Sequence, residues 1–163
     1  MAKIRNPLPL SQPWNQSHRR EVFLDHMVKK YRWHVGVEVG VRTGRTLFHL
    51  LDNNPGLKMY AVDIDIGQFY NDAVAQRYKD RLEVLSGKSW DMAAEIKKSV
   101  DFVFIDAAHG RKSVVKDINA YAPLVKTPQG LTGHDVDFPA VQQALAECGV
   151  RYGVGPDNVW YQL

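Results

Sequence analysis

At 163 residues, 45% hydrophobic and 24% charged, the chain has the size and composition of one folded domain with a sizeable core, which excludes a disordered segment. No apolar run approaches the ~18 residues of a bilayer span, Met1–Gln12 lacks the apolar centre of a signal peptide, and Cys148 has no partner for an internal disulfide. A cytoplasmic location is therefore expected, and the net charge of +3 gives no strong case for a nucleic-acid partner or a membrane surface.

Residues 1–34 form a basic N-terminal arm and helix, with seven of the 21 Lys and Arg residues but only Glu21 and Asp25 among the acids. Residues 1–17, rich in Pro, Asn, Gln and Ser, read as irregular. From His18 to Tyr31, Phe23, Met27 and Tyr31 recur at helical spacing. Beyond it, short apolar runs alternate with helical patterns. Strands are expected at Val35–Val39, Lys58–Val62, Leu82–Leu85, Asp101–Ile105 and Leu131–Gly133. Helices are expected near Thr46–Leu51, Phe69–Tyr78, Asp91–Lys97 and Ser113–Ala122. A last helix carries Val141, Ala144, Leu145 and Cys148, with Asp137 as its cap and Pro139 in its first turn.

Alternating strands and helices imply βαβ units and a parallel sheet covered on both faces. Val150–Val154 and Val159–Leu163 break the pattern. Only four residues separate them, too few for a crossover helix, so they must close an antiparallel hairpin. The expected fold is α/β: a Rossmann-like, doubly wound, seven-stranded sheet, mostly parallel, spanning residues 35–163.

The chemistry concentrates at the ends of these strands. Val35–Val39 carries Glu38 and runs into Gly40-Val41-Arg42-Thr43-Gly44, a turn leading straight into a helix, where bare backbone meets a ligand. Arg42 stands where a dinucleotide fingerprint has its middle glycine, which argues against a pyrophosphate. Asp63, at the tip of the second strand, is placed to accept the hydroxyls of a ribose, with Asp65 as a fallback. After the third strand, a loop carrying Ser89 and Trp90 would face the base of the same ligand, although Trp90 could equally be a packing residue. Asp106 and His109 follow the fourth strand; His134 and Asp135 follow the fifth. Asp106, His134 and Asp135 would converge in the crevice and hold a divalent cation. Alternatively, Asp106 serves only the cofactor and His134-Asp135 only cap a helix.

With these residues in place, the chain resembles a class I S-adenosylmethionine-dependent methyltransferase over roughly residues 33–163. It is most similar to the small-molecule O-methyltransferases of the catechol type and the sugar or antibiotic type. The resemblance implies that Glu38, Gly40, Gly44 and Asp63 hold the methionine end and ribose of S-adenosylmethionine, and Arg42, within the same turn, is a further candidate for binding it. It places Ser89 at the adenine, next to the candidate stacking face of Trp90, and Asp106 beside the cofactor. Asp106, His134 and Asp135 fall at metal-ligand positions, for magnesium or a similar ion. The sugar type has an aspartate base where this chain has Ala108, and the catechol type a lysine where it has His109. An imidazole can take that role, so His109 and Asp106 are the candidate catalytic residues.

The expected activity is methyl transfer to an oxygen of a small-molecule acceptor, with metal assistance. Two alternatives remain: a metal-independent N- or O-methyltransferase, and a catalytically silent accessory module that binds the cofactor. A nicotinamide-dependent dehydrogenase fits worst. Little chain is left over for a lid, so either the substrate binds shallowly or a homo-oligomer completes the pocket.

Overall fold

The computed structural model describes residues 14–163; the rest of the basic arm, with Lys3 and Arg5, lies outside the described residues. Seven strands form one sheet: β1 (Val35–Val39), β2 (Lys58–Asp63), β3 (Leu82–Ser86), β4 (Phe102–Ile105), β5 (Leu131–Gly133), β6 (Tyr152–Val154) and β7 (Trp160–Gln162). Their order is β3-β2-β1-β4-β5-β7-β6. The first five run parallel, while β7 lies antiparallel to both β5 and β6. The expected sheet and closing hairpin are both present. In that hairpin, Asp157 and Asn158 adopt successive left-handed conformations (φ 51° and 53°), which suit the twist of paired strands.

Six α-helices cover the sheet: α1 (Arg20–Tyr31), α2 (Arg45–Asn53), α3 (Asp72–Arg77), α4 (Ser89–Met92), α5 (Arg111–Tyr121) and α6 (Pro139–Glu147). Strand β4 is apolar at every position because both of its faces are covered. Phe102 and Phe104 pack with Phe23, Leu24 and Met27 of α1 and Leu47 and Leu50 of α2. Val103 and Ile105 face the other way, towards Val114 and Ile118 of α5 and Val141 and Leu145 of α6. Helix α1 is thus part of the core, not an appendage.

Several boundaries differ from expectation. Helix α3 is shorter because a 3₁₀ turn at Ile66–Gln68 precedes it and the Asn71 carboxamide caps it, accepting the Val74 N–H at 3.1 Å. Asp137 does not cap α6. Phe138 is the N-cap, without a side-chain hydrogen bond. Proline at the first helical position holds its predecessor extended, which moves the boundary one residue on. No helix of the described residues is long and apolar enough to cross a membrane.

Candidate functional site

The chain leaves β1, winds outwards through β2 and β3, and returns to place β4 on the other side of β1. A crevice opens at that reversal, beyond the carboxyl ends of β1 and β4. Gly40 occupies the closest approach. Its φ is 86°, and a Cβ there would lie 2.3 Å from the Asp106 carbonyl oxygen. Gly44, at φ 79°, is the N-cap of α2. Asp63 pins the intervening turn: its Oδ2 accepts the N–H groups of Val41 and Arg42, both at 2.8 Å, and its Oδ1 accepts that of Asp65 at 2.9 Å. Burial opposes charge on Asp63, but these donors and the Ile64 N–H outweigh it and lower its pKa. Asp63 therefore builds the turn as well as facing the cavity.

On one side of the turn lies an apolar lobe of about 320 Å³, whose walls include Asp63, Ile64, Gly87, Ser89 and Trp90. Ser89 and Trp90 do not lie in a loop, as expected, but form the first turn of α4. Helix α5 holds that turn from behind. The Tyr121 hydroxyl donates to the Ser89 carbonyl at 2.6 Å, and Lys116 Nζ sits 4.4 Å from the centre of the Trp90 ring. Asp117 is fully buried, and burial pushes its carboxyl up to about 6, only partly offset by the Ser89 hydroxyl.

On the other side lies a polar lobe of about 620 Å³, whose walls include Arg20, Glu38, Thr46, His109, His134 and Asp135. Gly40, Arg42, Asp106 and Ala107 line both lobes. Glu38 is 2% exposed and its Oε2 has no hydrogen-bond partner. Burial, then the negative charge of Asp106, raise its pKa well above the usual carboxylate value, against the pull of Arg20. A buried, unpartnered carboxyl group facing a cavity awaits a cationic or donor group. No ion pair engages Arg42 among the described residues.

The structure brings Asp106, His134 and Asp135 together as expected, each offering a ligand atom within 4.8 Å of the others. Their atoms are also engaged with one another and with groups that gave no sequence signal. Asp135 bridges two imidazoles, with Oδ1 2.9 Å from His134 Nδ1 and Oδ2 2.6 Å from His109 Nδ1. Its φ of 60° is a left-handed conformation that aspartate, asparagine and glycine adopt more readily than other residues. His109 stacks on Phe138, ring centres 5.5 Å apart. Burial resists charge on His134, yet the hydrogen bond and charge of Asp106, joined by the charge of Asp135, raise its pKa.

The unexpected members come from opposite ends of the chain. Arg20 Nη1 donates to Asp106 Oδ2 at 2.8 Å, and Arg20 Nε lies 3.8 Å from Asp157 Oδ2 in the terminal hairpin. The Arg20 backbone N–H also donates to Asp157 Oδ2. Beside them, Gln16 donates to the Gly155 carbonyl and accepts the Asn158 N–H. Buried Glu21 takes Arg45 and Arg19, so the start of α1 is tied to α2 and to the hairpin. Thr46, in the first turn of α2, is a further lining residue the sequence did not single out. It shared the apolar run's spacing and carried no separate signal.

Residues 37–136 match the sequence model of a family described as a methyltransferase domain. No curated protein matches the chain. Several solved structures share its fold. A Staphylococcus aureus protein, provisionally described as a caffeoyl-CoA O-methyltransferase, superposes with a TM-score of 0.71 at 12% identity, over 92% of this chain and 86% of that one. Cofactor-bound Rv0187 from MTB gives 0.67 at 18% identity, covering 91% and 80%. The O-methyltransferase TomG from Streptomyces achromogenes, involved in tomaymycin synthesis and solved with SAM, gives 0.62 at 14% identity, covering 88% and 79%.

Proposed function

Because the chain belongs to the methyltransferase domain family, we propose that it transfers a methyl group from S-adenosylmethionine to an oxygen of a small-molecule acceptor. The observation that carries this reading is Glu38. Its buried, unpartnered carboxyl group faces the polar lobe two residues before Gly40, and an amino-acid ammonium group is the partner its chemistry calls for. The apolar lobe suits an adenosine: Asp63 for the ribose, Ser89 and Trp90 for the base. Arg42, exposed where the lobes meet, is free to take a carboxylate.

When bound, the donor supplies a methyl group made electrophilic by a sulfonium. The protein then has to align the acceptor and remove its proton. His109 is placed for the second task. Asp135 accepts its Nδ1–H at 2.6 Å, which fixes the ring and leaves Nε2 as the proton acceptor. Phe138 supports the ring from one side.

A divalent ion at Asp106, His134 and Asp135 is a second reading, favoured by the mutual distance of their ligand atoms. Such an ion would lower the pKa of an acceptor hydroxyl. The donor set does not fit it as it stands, since Asp106 Oδ2 carries Arg20 and both Asp135 oxygens carry imidazoles.

Calorimetry with S-adenosylhomocysteine tests the proposal. Binding is expected, with Glu38→Gln weakening it by about 10–100-fold, the worth of one hydrogen bond between charged groups. Glu38 has to ionise to hold an ammonium, so binding releases a proton and tightens as pH rises. No binding by the native protein would end this reading.

A further inference from the structure

The cluster at the tips of β4 and β5, completed by Asp157 of the terminal hairpin, contains three carboxylates, Asp106, Asp135 and Asp157, around the half-buried imidazole of His134. Carboxylates gathered this closely in a partly buried site repel one another, and a resident cation relieves that repulsion. The chain already supplies one. Arg20 reaches in from the first turn of α1, its side chain 26% exposed, and pairs with Asp106, itself 17% exposed. Its guanidinium also faces Asp157, which holds the Arg20 backbone N–H as well. Arginine does not lose its charge in proteins, and its planar fork carries five donors, more than these contacts use.

We propose that the Arg20 guanidinium is the built-in cation of this site, in place of a divalent metal, and that its remaining donors face the acceptor oxygen. This rests on the methyl-transfer reading above and adds the means by which the acceptor's developing negative charge is met. The geometry supports it in three ways. Arg20 lines the polar lobe together with His109, so the cation and the proton-accepting imidazole border one space. Asp106 Oδ2 is 2.8 Å from Nη1, and a metal could reach that oxygen only by displacing the guanidinium. The anchoring of Arg20 is redundant: Asp157 holds its backbone, and next to it Glu21 ties α1 to Arg45. A side chain fixed at both ends is organised before the acceptor arrives, which is what charge stabilisation requires.

The consequence is an exchange of one cation for another. Removing the guanidinium frees Asp106 Oδ2 and takes a positive charge from beside ligand atoms of Asp106, His134 and Asp135 that lie within 4.8 Å of one another. An incoming ion then displaces the protons Asp135 shares with the imidazoles, so Arg20→Ala should create a metal site. The measurement is calorimetric titration with Mn²⁺, backed by its paramagnetic resonance signal. The native protein is expected to bind no Mn²⁺ at millimolar concentration. Arg20→Ala is expected to take one ion per chain, tighter by roughly 100-fold or more, since a unit charge about 4 Å away has been removed. Arg20→Lys should behave like the native protein, and adding Asp106→Asn to Arg20→Ala should abolish the new site. Arg20→Gln, nearer in size, gives the same test if the alanine variant unfolds. One Mn²⁺ per native chain, lost in Asp106→Asn, would overturn the proposal, as would neutral Arg20 variants that gain no ion. S-adenosylhomocysteine titrated into the same samples separates the two readings. Its failure to bind the native protein defeats methyl transfer, while binding without metal exchange defeats only the role of Arg20.

Discussion

The two lobes of the crevice share a floor yet are assembled in opposite ways. The apolar lobe is built from neighbours in sequence: a strand, its glycine turn, and the carboxylate at the tip of the adjacent strand, braced by α5 behind α4. The polar lobe is built from the extremes of the chain, with Arg20 near one end meeting Asp157 near the other across β4 and β5. One lobe is fixed by local backbone geometry and the other by long-range ion pairs. Lesions in the first should therefore be steep and structural, and lesions in the long-range ties of the second, Glu38 apart, shallow.

The largest effect is expected where the lobes touch. Gly40→Ala combines a left-handed residue with a Cβ 2.3 Å from the Asp106 carbonyl oxygen, an atom of backbone that cannot rotate away. The two penalties together should cost at least ~3 kcal/mol of stability and disturb both lobes. Chemical denaturation would read the first effect and S-adenosylhomocysteine titration the second. A variant of native stability and affinity would mean that the floor is not shared.

Next comes Asp117, the buried acid behind the apolar lobe. Its folded pKa of about 6 lies above the ordinary aspartate value of 3.8. The folded state therefore holds the proton more tightly than the unfolded one, and stability falls as pH rises from about 4 through about 6. Two pKa units correspond to about 3 kcal/mol. Asp117→Asn should remove this dependence, making the variant more stable than the native protein at pH 8 by up to about 3 kcal/mol and level with it at pH 4. Parallel urea curves for the two proteins at all pH values would show that Asp117 is not held neutral by burial.

The same contrast explains what the sequence disclosed. Val35–Gly44 and Asp63 were legible because the strand, the turn and the acid at the next strand's tip follow one another at fixed spacing, and the pleat and turn leave them one arrangement. The terminal hairpin was legible because four residues cannot carry a crossover. Asp106, His134 and Asp135 were found by topology, since each ends a parallel strand. Arg20 was not. Within a helix start it reads as one more solvated cation, and nothing near it in sequence reveals that Asp157, 137 residues on, comes within reach. Ser89 and Trp90 were identified but assigned to a loop, because a four-residue helix shows no periodicity of its own and depends on Tyr121 and Lys116 for its position. Asp135 was read only as a candidate metal ligand, while its grip on both His109 and His134 depends on a left-handed backbone that composition does not reveal.

The smallest effect sharpens the contrast most. Gln16 joins the approach to α1 to the hairpin by two hydrogen bonds, to the Gly155 carbonyl at 2.9 Å and from the Asn158 N–H at 3.1 Å. Gln16→Ala should lower stability by only about 1 kcal/mol, since water replaces part of what is lost. Its local consequence should be larger. With that tie gone, Arg20 keeps its partners but the segment carrying it opens more often, so the Asn158 amide and the amides of residues 17–20 should exchange with solvent faster. The apolar lobe lies across the floor and shares none of these contacts, so affinity for S-adenosylhomocysteine should stay within about threefold of native. A larger loss would show that the two lobes are coupled through α1, and that the division between local and long-range construction does not carry over to function.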